Sequence, residues 1–198
     1  DEADNRLNND DELPEEGKNY TTMEHKWDEA YGYLYGDPSI PASNPNSILN
    51  ESDDRLLFSY LGQVDEDEDF AGIAEETFEA FKTGRAAIVA GNYVVRDEQV
   101  AIIRENISKT IAVRAVYYLQ DGKNLLANGE FGAAFHALSE GYGFLYSLRF
   151  TNDPKTNMPY VSVSDINNFK EEISNIEKIS TAITFTDYLS IYLNGPYG

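Results

Sequence analysis

Apolar and polar residues alternate along this chain with a helical period almost throughout. From Thr21 to Tyr35 apolar positions return every three or four residues, with Thr21 or Thr22 as the cap and Glu24 in the first turn. Pro38, Pro41 and Pro45 then break the pattern, because proline lacks an N–H and clashes with the preceding turn. The spacing predicts a short helix over about 52–61. A second is predicted to follow the acidic run Asp65–Asp69 and to run through about Ala90, the acids complementing the positive end of the helix dipole. Val100, Ile103, Ile107, Ile111 and Arg114 mark a long amphipathic helix over 97–126, with Asp121-Gly122 as its weak point. Asn128-Gly129 turns the chain into a helix over 131–148, which Asn152-Asp153-Pro154 closes. A last helical region runs from Ser164-Asp165 to Asn194-Gly195-Pro196, and only Tyr160–Val163 has any strand character. The predicted fold class is all-α.

Within this pattern one phrase occurs twice. His25-Lys-Trp-Asp-Glu29-Ala-Tyr31-Gly32-Tyr33-Leu34-Tyr35 returns 111 residues later as His136-Ala-Leu-Ser-Glu140-Gly-Tyr142-Gly143-Phe144-Leu145-Tyr146, and the two copies hold both histidines of the chain. Such self-similarity predicts a duplicated helical bundle. Residues 1–18 read as an acidic linker or tail, and 19–198 as the bundle domain, with repeat halves over about 22–91 and 97–194. The second copy is preceded by a long amphipathic helix, and the first only by the acidic tail. The expectation is that the chain is the C-terminal part of a longer protein. The missing packing helix would come from an N-terminal segment or a second chain completing the bundle.

On a helix His25, Asp28, Glu29 and Gly32 share one face, and His136, Ser139, Glu140 and Gly143 form the same stripe. A glycine one turn past the polar pair predicts that this stripe meets a neighbouring helix rather than water. Three readings follow. Each histidine and its i+4 glutamate form a buried polar knot that fixes helix register. Alternatively His25, Asp28, Glu29, His136 and Glu140 bind a metal, iron or zinc, since imidazole and carboxylate are the usual donors inside helical bundles. A catalytic reading requires an activated water, and neither an H-E-x-x-H pattern nor a nucleophile elbow is present. The His-before-Glu order is also the reverse of the Glu-x-x-His of di-iron bundles.

Composition narrows the partners. Acidic residues outnumber basic ones 35 to 15, giving a formal charge of −20, which repels phosphate backbones and anionic lipid. Nucleic acid is therefore not an expected partner; cations and basic protein patches are. With no cysteine, disulfides, thiolate metal sites and cysteine nucleophiles are all excluded. No apolar run reaches transmembrane length.

The segment Tyr20-Thr-Thr-Met23-Glu24-His25-Lys-Trp27-Asp28-Glu29-Ala30-Tyr31-Gly32-Tyr33-Leu34-Tyr35-Gly36 closely resembles the hallmark of a family of secreted or lipid-anchored proteins of Bacteroidetes-type bacteria. That family is of unknown function and similar to the imelysins. The resemblance covers most of this chain and the C-terminal portion of the family's proteins. It implies two related helical bundles, a periplasmic or outer-membrane-associated location, and a connection with iron acquisition. Many imelysin-like proteins carry His-x-x-Glu; His25 with Asp28 keeps the spacing with Asp in place of Glu, whereas His136 is followed by Ser139. The expected function is a non-enzymatic cell-envelope protein that binds a metal ion or iron-containing ligand. The alternatives are an imelysin-type envelope metallopeptidase and a structural interaction module docked on an outer-membrane partner.

Overall fold

The computed structural model describes residues 17–49 and 57–174, without the side chains of 172–174. The regular elements are helices: α1 (Thr22–Tyr35), α2 (Leu57–Asp65), α3 (Ile73–Val89), α4 (Tyr93–Ala127), α5 (Phe131–Ser147) and α6 (Val163–Ser174). Short 3-10 turns cover Pro45–Ile48 and Leu148–Phe150. Extended pairing among the described residues is limited to a bridge between Asn152 and Pro159. The chain is all-helical, as its periodicity predicts, and it divides into two compact units at Ile103/Arg104, inside α4.

In the first unit α1 begins with a complete capping box. Thr21 accepts the Glu24 N–H, and the Glu24 carboxylate accepts the Thr21 N–H. The helix buries Met23, Trp27, Leu34 and Tyr35. Among the described residues, the elements packed on it are α2 and α3, which follow it in the chain. Trp27 lies against Gly84 of α3, where an added Cβ would collide with the indole ring. Its Nε1 donates to the Phe81 carbonyl at 3.0 Å. Tyr35 centres an aromatic cluster of Tyr31, Phe58, Phe78 and Phe81, with ring centroids 4.8–6.0 Å away; edge-to-face contacts of this kind are worth about 0.5–1.5 kcal/mol beyond burial.

The acidic run precedes α3, as predicted. Asp65 itself ends α2. Its Oδ1 accepts the N–H groups of Gly72 at 3.0 Å and Ala74 at 2.9 Å, so it caps α3 from the preceding helix. Gly72 itself occupies the N-cap with φ 96°, a conformation that glycine adopts without strain. The predicted 52–61 helix is described only from Leu57 and continues to Asp65; its earlier part lies outside the described residues.

In the second unit α4 runs straight through Asp121-Gly122, without the break the sequence predicted there. Gly122 serves packing: a Cβ there would stand 2.7 Å from Leu138 Cγ. Gly141 of α5 returns the arrangement, since its Cβ would stand 2.8 Å from Leu119 Cγ. These reciprocal leucine-on-glycine contacts hold α4 and α5 antiparallel at close range. The core around them comprises Ala112, Ala115, Leu119, Leu138, Leu145, Leu148, Val161, Ile166 and Phe169. The final helix is described to Ser174; the predicted continuation to Asn194, and the 1–16 part of the tail, fall outside the described residues.

Glycine-to-alanine substitutions separate packed from open positions. Gly84→Ala and Gly122→Ala overpack the core and are expected to cost about 1–3 kcal/mol. Gly143→Ala meets nothing within 4 Å and is expected to stabilise by about 0.5–1 kcal/mol through helix propensity. Denaturant midpoints of the three variants check this ordering.

Candidate functional site

The helix phase that buries Trp27 fixes where the first motif points. His25, Asp28, Glu29 and Gly32 are all exposed, and a Cβ on Gly32 would meet nothing within 4 Å. The stripe therefore faces solvent, which corrects the expectation of a neighbouring helix and of a buried knot. The large apolar side chains Met23, Trp27 and Leu34 took the inner face and left Gly32 on the outer one.

The His25 side chain is 45% exposed, with Nε2 3.4 Å from Glu29 Oε1. Tyr20 stacks on the imidazole at a centroid distance of 5.6 Å, and Lys18 lies over the Tyr20 ring. Glu29 also accepts from Lys26 Nζ at 2.8 Å. That Lys26 hydrogen bond leads the causes that lower the Glu29 pKa; slight desolvation opposes it, and the Lys26 and His25 charges add to it. Asp28 accepts from Arg85 Nε at 2.8 Å, and Arg85 Nη1 reaches Glu24 Oε1 at 2.8 Å. Arg85 thus ties α3 to two acids of α1, an arrangement that no local pattern announced.

Glu24 is the most enclosed acid of the group, its side chain 14% exposed. Burial raises its pKa, but the Thr21 backbone N–H, the Arg85 hydrogen bond and charge, and the Thr21 hydroxyl outweigh it and hold the carboxyl below its ordinary 4.5. Arg85 is held the more firmly protonated: burial alone would lower its pKa, and Asp28 and Glu24 reverse that.

The second motif repeats the outward orientation. His136 and Gly143 are exposed, Glu140 is half-buried, and Ser139 Oγ donates to the His136 carbonyl at 2.8 Å. Positions equivalent across the two copies share their environment. Met23 and Ala134, Trp27 and Leu138, and Leu34 and Leu145 are buried; the histidines and second glycines face out. The breaks after the motifs also agree: Asp37 Oδ1 accepts the Ser39 N–H at 2.8 Å, and Asp153 Oδ1 the Lys155 N–H at 2.8 Å. The copies differ at their last aromatic, for Tyr35 is 2% exposed and Tyr146 39%.

These side chains do not assemble a ligand cage within either motif. Asp28 and Glu29 are engaged by Arg85 and Lys26. Among the described residues no group of three or more His, Asp or Glu side chains is placed to hold a metal ion. Among the buried side-chain atoms without a hydrogen-bond partner is the Tyr35 hydroxyl; burial, with Tyr31 and Glu75 nearby, raises its pKa strongly. No helix among the described residues is long and apolar enough to cross a membrane.

Over residues 1–178 the chain matches the model of a family described as a domain of unknown function (DUF4856), and it belongs to that family. No curated protein and no solved structure matches it.

Two substitutions test this geometry. Glu24→Gln keeps the capping box but removes the charge facing Arg85, and is expected to cost about 1 kcal/mol at pH 7. Because the folded pKa lies below 4.5, the wild-type contribution is complete above that value and is lost as pH falls through the folded value. Melting curves between pH 7 and pH 3 should therefore fall less steeply for Glu24→Gln than for wild type. Tyr35→Phe removes an unpartnered buried hydroxyl and is expected to leave stability equal or higher by up to about 1 kcal/mol, read by thermal unfolding.

Proposed function

We propose that the chain is a non-enzymatic interaction domain of the bacterial cell envelope, made by duplication of an imelysin-type helical unit. Each copy offers its His–Glu–Gly face to a basic partner surface. One observation carries the reading. Both motifs present histidine and glycine on the side of the helix away from the core, with Met23 and Trp27 buried beneath one and Ala134 and Leu138 beneath the other. A shared His-x-x-x-Glu-x-x-Gly phrase with histidine and glycine turned to solvent in both copies, where packing does not require it, is what recognition of a partner needs. The formal charge of −20 supports a basic counterpart through electrostatic complementarity. The envelope location and the kinship to imelysins rest on the hallmark around His25.

A second reading has its own observation. His25 Nε2 and Glu29 Oε1, 3.4 Å apart and open to water, are two donors of a surface iron or zinc site in the first unit, with Asp28 as its third candidate ligand; His136 and Glu140 are the candidate ligands of the second unit. An envelope metallopeptidase would draw on the same five side chains.

The double variant His25→Ala/His136→Ala distinguishes these readings. Both residues are exposed, so stability should change by less than about 0.5 kcal/mol. Retention of the native partner in envelope extracts should be lost, while neither protein carries stoichiometric metal by elemental analysis. About one iron or zinc per wild-type chain, absent from the double variant, would replace the interaction reading with the metal one. Cleavage of a peptide library that stops with chelator would establish the peptidase.

A further inference from the structure

The second unit carries an aromatic face that adjoins the histidine stripe and shares only Ser139 with it. Along α5 and the following 3-10 turn, Phe131, Phe135, Tyr146 and Phe150 are 60%, 50%, 39% and 71% exposed. Ser139 and the half-buried Tyr142 complete the row. Tyr142 and Tyr146 contact each other, Tyr146 and Phe150 do likewise, and Arg149 lies over both outer rings. A water-facing row of this size at helical spacing is not explained by the core of its own unit.

Its spacing reads the same in both directions. The positions 131, 135, 139, 142, 146 and 150 are separated by steps of four, four, three, four and four. Laid antiparallel on a copy of itself about a twofold between Ser139 and Tyr142, the row pairs Phe131 with Phe150, Phe135 with Tyr146, and Ser139 with Tyr142. Self-complementarity is what an isologous contact requires. The same register brings exposed Glu130 of one copy towards Arg149 of the other.

Charge also favours a second copy here. A chain at −20 repels itself over most of its surface, yet from Phe131 to Phe150 the only formal charges are Glu140 and Arg149, which cancel. On the usual size of an aromatic side chain, the four exposed rings leave roughly 450 Å² in water per copy. Two copies would then bury roughly 900 Å² from these rings alone. Tyr142, Ser139 and the open Gly132 bring the contact to the scale of about 1,000 Å² that specific interfaces need. We propose that two copies of this chain associate antiparallel through the aromatic face of α5. The proposal rests on the aromatic row and not on what His136 and Glu140 recognise.

The test is sedimentation equilibrium of the full chain over a wide concentration range, with Phe135→Glu/Tyr146→Glu as the variant. The expected result is a monomer–dimer equilibrium weakened at least about 30-fold in the variant, with unchanged helical circular dichroism. Because the chain has no cysteine, Ser139→Cys supplies a single thiol beside the proposed axis. A short bifunctional thiol cross-linker should join two copies at Ser139→Cys but not at Tyr33→Cys, an exposed control in the first unit. A monomer at all concentrations, a dimer indifferent to the double variant, or equal cross-linking at both thiols would overturn the proposal. So would a monomer whose Ser139→Cys thiol is shielded from small reagents, since the chain's own residues would then cover the face.

Discussion

The close approach of antiparallel helices over glycine is the constraint on which the other features depend. In the first unit Trp27 fills the space left by Gly84; in the second Leu138 fills the space at Gly122 while Leu119 fills that at Gly141. A Cβ at any of the three would force backbone or ring to move, and close-packed interiors tolerate such moves poorly. Once Trp27 and Leu138 are seated, the rotation of their helices is fixed. The residues two positions before them, His25 and His136, are then turned outward, and so are Gly32 and Gly143. The surface chemistry of both motifs follows from a packing decision made on the opposite side of the helix.

The two units share this logic without sharing the same partners. Trp27 packs on the helix that follows its motif, and Leu138 on the helix that precedes it. The Asp-Pro turn after each motif closes with the same side-chain-to-backbone hydrogen bond. Tyr35 is drawn into a ring of Phe58, Phe78 and Phe81, whereas Tyr146 remains at the surface beside Phe150. In the proposed duplication the polar face would be the retained part, and the aromatic end the part that diverged towards burial in one copy and exposure in the other.

Helical periodicity, proline breaks and the Thr21 cap carried most of the secondary structure into view from residues alone, because each is a local effect. What escaped depends on tertiary partners. Gly122 resembles a helix breaker in sequence, and only Leu138 shows why it sits inside α4. The acidic run was legible as charge ahead of the next helix, but only the bonds from Gly72 and Ala74 show that Asp65 ends one helix and caps the next. The five candidate residues were identified by repetition. Their outward direction was not, because a glycine one turn past the polar pair reads as a place of close approach, whereas Gly32 and Gly143 lie open and the packed glycines are Gly84, Gly122 and Gly141. Arg85 was missed entirely, since nothing near it in sequence predicts the pair of acids it meets on α1.

This account makes the histidine stripes surface features of a closed helical packing. Chemical modification of histidine in the native protein, followed by mass spectrometry, tests that most directly, with the lone tryptophan, Trp27, reporting on the fold. The account predicts rapid modification of both His25 and His136 while Trp27 emission stays that of a buried indole. Protection of either histidine until Trp27 emission shifts to that of the unfolded chain would contradict it.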